Sequence, residues 1–136
     1  MTSDSYDRAG DPFNLDRFVT AQRASYEGAV DELRSGHKDG HWMWFIFPQI
    51  QGLGSSDMAK RYAIEGLPEA NAYLQHPILG PRLSECCKAI LPIEGRSATD
   101  IFGYPDDVKL KSSMTLFAQA AEHGSIFTKV LAKYFG

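Results

Sequence analysis

The stretch His41-Trp42-Met43-Trp44-Phe45-Ile46-Phe47-Pro48-Gln49 contains both tryptophans and two of the eight phenylalanines of the chain. Its apolar part, Trp42 to Pro48, is far shorter than the roughly 20 residues that cross a bilayer, so it belongs in a core or against an apolar cleft. As a strand, the run would put Trp42 and Trp44 on one face; as a helix, the two indoles would diverge by about 200°. Its conformation therefore decides the fold class and whether the tryptophans can form one wall.

Outward from this run the punctuation is that of short helices. Asn14 is placed to cap a segment with Leu15, Phe18, Val19, Tyr26, Val30 and Leu33 at helical spacing, Gln22 being the exception, until Gly36 stops it. Ser25 is a point at which this segment could divide. Ser55 or Ser56 suits the cap of a helix through Met58, Tyr62 and Ile64, closed by Gly66. Pro68 fits the first turn of the next, which His76-Pro77 ends. Leu79, Leu83, Cys86, Cys87 and Ile90 form another stripe, Ser97 with Asp100 resembles a capping box, and a bend follows at Tyr104-Pro105. Two more helices are expected, from Asp106 to His123-Gly124 and from Ser125 to the end. No hairpin dipeptide separates alternating segments, so the expected fold is all-α: a compact single-domain bundle of about six to seven short helices.

A chain of 136 residues suits one domain, expected over 12–136, preceded by a mobile polar tail, residues 1–11. The 43% hydrophobic and 23% charged composition is that of a folding domain, and a net charge of -3 argues against general nucleic-acid binding. The start lacks the basic and apolar regions of a secretory signal, and the adjacent Cys86 and Cys87 suit no ordinary disulfide, so a cytoplasmic protein without membrane attachment is expected. Its oligomeric state is open. His37, His41, His76 and His123 lack metal-binding spacing, so neither a metal nor a cofactor is expected.

The run from His41 to Gln49, then Gly52-Leu53-Gly54-Ser55, Tyr62-Ala63-Ile64, Glu69-Ala70, His76-Pro77, and Lys109-Leu110 with Ser112-Ser113-Met114-Thr115-Leu116-Phe117, resembles a bacterial domain family of unknown function. Members sometimes carry the label "calpastatin-like", which has no physical support here, because such inhibitors are long disordered repeats. The resemblance covers nearly the whole chain from Asp11 and implies a multihelical bacterial cytoplasmic protein. A more distant likeness is to helical proteins that cleave N-glycosidic bonds in nucleotide metabolites or ADP-ribose adducts. That likeness implies a hydrolase class and assigns no catalytic residue.

Two groups of residues are candidates for a site. In the first, Trp42 or Trp44 would offer a face to a flat ligand, with His41 and Gln49 as polar ends; the alternative is a core anchor whose ends satisfy backbone groups. In the second, Lys109, Ser112, Ser113 and Thr115 follow Asp106 at the start of a helix, where a cation and hydroxyls could hold an anion; the simpler alternative is capping by Asp106, a surface lysine and close helix packing. Ser55 adds a hydroxyl in the Gly-rich turn, and Arg82 could clamp an anion or form a surface ion pair. Glu69 and Asp106 are the carboxylates available for acid or base chemistry. Together these support a small-molecule or nucleotide-derivative binding protein with hydrolase activity, or a non-catalytic ligand-binding or protein-interaction module.

Overall fold

In the computed structural model, which describes residues 10–136, the carboxylate of Asp11 opens a helix that begins at Asp16. Its two oxygens accept the Leu15 and Asp16 amides at 2.7 and 2.9 Å, satisfying donors that a helix start leaves without partners. Asn14, the expected cap, instead occupies left-handed backbone with φ of 53°, which its short polar side chain tolerates. Helices α1 (Asp16–Gln22) and α2 (Tyr26–Ser35) are separated near Ser25, and α2 ends at Gly36 with φ of 77°. Most of the expected tail lies outside the described residues.

The aromatic run forms one helical turn, α3 (Met43–Ile46), and Phe47 then leaves helical backbone. Immediately beyond it, Ile50 pairs with Ile64 in an isolated parallel bridge, where the Gln51 amide donates to Ile64 and the Ile64 amide to Gln49, both at 2.8 Å. This bridge explains why α4 (Asp57–Arg61) stops earlier than the apolar pattern suggests: Ile64 is drawn into extended pairing. Ser56, rather than Ser55, caps α4 by accepting the Ala59 amide at 3.1 Å.

Helix α5 (Leu67–Gln75) has Pro68 in its first turn and ends at extended His76, before Pro77. Helix α6 (Leu79–Ile90) follows, and α7 (Ala98–Phe102) opens with the full Ser97 and Asp100 capping box. In α8 (Asp106–Ala120) the cap position falls on Pro105, so Asp106 is a first-turn residue free to make other bonds; the helix stops short of the expected His123. Ser125 stands before α9 (Ile126–Phe135) without the expected side-chain bond, its hydroxyl buried and unpartnered. Nine helices thus lie within the described residues. The number exceeds six to seven because the first segment divides and the aromatic run adds a turn of its own.

Helix α8 packs against α5, α7 and α9. Tyr73 joins Phe18 edge-on at 5.2 Å and Phe117 at 5.2 Å, and Phe117 continues to Phe127 at 5.7 Å, so one aromatic row ties four helices together. Cys86 and Cys87 are fully enclosed core residues; burial pushes the Cys86 thiol up to about 12 and raises Cys87 further. Gln22, the exception in the apolar pattern of α1, is also buried. Its amide donates to the Phe45 carbonyl at 2.7 Å and the Tyr73 hydroxyl at 3.1 Å, fastening the aromatic turn to the core.

Candidate functional site

The helical conformation of the run sends the two tryptophans to different neighbours. Trp42 is buried and donates its indole N–H to Glu32 at 3.0 Å. The same carboxylate oxygen accepts the Asp39 and Gly40 amides at 2.7 and 2.8 Å. Burial works against ionisation of Glu32, but these amides, the indole and nearby Lys38 outweigh it and hold the carboxyl below its ordinary range. Gly40 must be small here: a Cβ would lie 2.7 Å from Trp42 Cδ1. Trp42 is therefore an enclosed anchor and presents no stacking face.

Trp44 is half-buried and faces α8. The Lys109 ammonium lies over its ring at 4.9 Å, while Lys38 lies over Trp42, also at 4.9 Å. Between the lysines sits Asp106, 2.7 Å from Lys38 and 3.4 Å from Lys109. Lys38 also donates to the Gly40 carbonyl at 2.5 Å, so this ladder locks the start of α8 onto the loop before the aromatic turn. Asp106 is thereby neutralised from two sides. Glu69, the other carboxylate candidate, is 1% exposed and pairs with Arg17 at 2.9 Å, its second oxygen accepting the Glu65 amide at 2.9 Å. Arg17 also donates to the carbonyls of Phe13, Asn14, Arg61 and Ala63. Glu69 is thus part of a staple joining α1 to the segment before α5, and it faces no cleft.

Trp44 and Gln49 line one small cavity with Tyr62, Ala59 and the loop Ile50, Gly52, Leu53 and Gly54. Its volume is only about 20 Å³, the room of a single water. On the other side of Ile50 and Leu53 is a groove of about 310 Å³, closed across by Lys111, Ser112, Thr115, Leu116 and Gln119 of α8. Helical spacing runs Ser112, Thr115 and Gln119 along the outer face, with Lys111 bordering one side and Lys109 with Leu116 the other. Ile50 and Leu53 are 38% and 58% exposed, which leaves large aliphatic surface open beside a cation.

Of the residues singled out by sequence, Trp44, Gln49, Asp106, Lys109 and Ser112 come together around this loop and helix. The others do not. His41 is exposed and lines neither cavity, and Ser55 is exposed outside both. Ser113 is fully buried, its hydroxyl unpartnered, because α8 is covered by its neighbours on that side. Arg82 turns inward, stacking on Tyr26 at 4.8 Å and reaching Gln22 at 3.4 Å. The groove residues Ile50, Lys111 and Gln119 carried no local signal, since their meeting depends on how the loop docks beside α8. Lys38 and Glu32 were equally hidden, being polar residues whose partners are set by tertiary contact. Among the described residues no group of three or more His, Cys, Asp or Glu is placed to hold a metal ion, and no helix is long and apolar enough to cross a membrane.

A family model described as protein of unknown function (DUF1810) matches residues 12–136. The chain belongs to the DUF1810 family. Its fold agrees with the crystal structure of the conserved hypothetical protein Rv1873 from Mycobacterium tuberculosis, with a TM-score of 0.90 and 58% sequence identity. That likeness covers 92% of this DUF1810 chain and 89% of the mycobacterial one. Comparison with functionally curated proteins found no match.

Proposed function

We propose that this protein binds a small molecule in the groove between Ile50, Leu53 and the outer face of α8. The observation that carries the reading is the conjunction of two exposed aliphatic side chains with a lysine that forms no ion pair among the described residues, across about 310 Å³ of open space. That volume lies at the lower end of the roughly 300 to 1,000 Å³ of small-molecule sites. The hydroxyls of Ser112 and Thr115 donate back to the Val108 and Lys111 carbonyls, at 3.3 and 2.7 Å. The donors left for a ligand are therefore the Lys111 ammonium and the Gln119 amide, which favour a carboxylate, phosphate or other acceptor group beside an apolar body.

Binding without turnover is the better supported reading. Hydrolysis would need a carboxylate poised at the ligand, whereas Glu69 is held by Arg17 and Asp106 by two lysines. A second groove of about 360 Å³, along Arg34, Lys88, Ala89, Pro92 and Ile93, has no comparably exposed large aliphatic residue, and its Arg34 is paired with Glu85 at 3.1 Å.

A thermal-shift screen of carboxylates, phosphates and nucleotides tests the proposal, because a ligand selective for the folded chain raises Tm. The expected hits lose their effect in Leu53→Asp, which puts a charge of the ligand's sign in the groove, and weaken in Lys111→Ala. Hits that stabilise Leu53→Asp as well as the parent, or no hit at millimolar ligand, would overturn it.

A further inference from the structure

The groove and the small cavity share two walls, Ile50 and Leu53, so these side chains are the partition between them. Ile50 is fixed by its bridge to Ile64. Leu53 is different: it is 58% exposed at the tip of a loop with glycine on either side, so a change of rotamer meets little resistance. Outward rotation of Leu53 would join the cavity to the groove beside Trp44 and Tyr62. Trp44 lines the cavity, and Lys109 lies over its ring. Lys111 stands on the opposite lip of the helix face. Lys111 is thus the cation on the groove, in a chain whose net charge is -3, while Lys109 is held by Asp106.

We propose that the preferred ligand of this groove is a flat aromatic ring carrying a negatively charged group, with the ring seated against Trp44 behind Leu53 and the anion at Lys111. This rests on the groove being a ligand site and adds the chemical class of its occupant. The cavity, at about 20 Å³, is far below the order of 150 Å³ in which a benzene ring is accommodated, so seating a ring there requires Leu53 to move. Aliphatic anions of the same charge leave the partition closed and use the outer groove alone. Stacking on an aromatic side chain then gives the ring a preference of roughly tenfold or more.

Titration calorimetry with phenyl phosphate, hexyl phosphate and inorganic phosphate, alongside tryptophan emission, separates the two levels of the argument. Phenyl phosphate is expected to bind about tenfold tighter than hexyl phosphate and to change the emission saturably. Trp44→Leu, with its fold verified by Tm and circular dichroism, is expected to remove both the preference and the emission change while still binding hexyl phosphate. Equal affinity for the two organic phosphates, lost in Leu53→Asp, would overturn the aromatic class and leave the groove standing. Failure of both to bind at millimolar concentration, with other screened ligands also silent, would overturn the groove itself. Preference for phenyl phosphate that persists in Trp44→Leu would place the ring elsewhere and also refute the inference.

Discussion

Replacing Glu69 by alanine asks whether this carboxylate serves chemistry or the fold. Glu69 is 1% exposed, and both oxygens are used, by Arg17 and by the Glu65 amide. Removing one partner of a buried ion pair costs about 3 to 5 kcal/mol, because the remaining charge loses compensation. Arg17 retains four backbone carbonyl partners and is 18% exposed, which puts the expected loss near the lower limit, about 3 kcal/mol. With an unfolding entropy of about 2.1 cal/mol/K per residue over 136 residues, that loss lowers Tm by about 10 °C. Urea unfolding measures the free energy directly, and Glu69→Gln, which keeps a hydrogen-bonding oxygen, should lose less. Glu69→Ala unfolding within about 0.5 kcal/mol of the parent would refute the staple, since such small effects characterise surface positions without special contacts.

Other consequences follow from single side chains. Because the Glu32 carboxyl is held below its ordinary value of 4.5, its anion stabilises the fold above that value, and this contribution disappears as pH falls through the lower folded-state value. Tm measured from neutral pH into acid should therefore fall less steeply in Glu32→Gln than in the parent, although the variant starts lower; parallel curves would exclude the linkage. Cys86 and Cys87 are enclosed, with the Cys86 thiol pushed up to about 12, so neither should react with a thiol reagent at mildly alkaline pH until denaturant is added. Fast labelling of the folded chain would contradict their placement in the core.

The helices were largely legible because their signals are local. Ser97 with Asp100, Pro68, His76-Pro77 and Gly36 each act within one turn of a helix end, and each marks a real boundary. Two boundaries differ for different reasons: the bridge to Ile50, distant in sequence, pulls Ile64 out of α4, whereas the neighbouring Asp11 takes the capping role from Asn14. The aromatic run was ambiguous because a few bulky residues satisfy either period, and burial of Gln22 against the Phe45 carbonyl belongs to tertiary packing. Of the site, Trp44, Gln49 and Lys109 were visible as residue types in suggestive places. Their division by Leu53 into a small cavity and a larger groove was not, because it depends on where a glycine-rich loop rests beside α8. Glu69 and Asp106 looked equally able to act as bases, and only their cationic partners reveal what holds them.

The most direct measurement is an amide chemical-shift titration of the isotope-labelled protein with a ligand that raises its Tm. The account predicts saturable shifts concentrated at Ile50, Leu53, Lys111, Ser112 and Gln119, with smaller ones around Arg34 and Ile93. Shifts centred on Arg34, Lys88 and Ile93 instead, with the Ile50 to Leu53 loop unmoved, would contradict it.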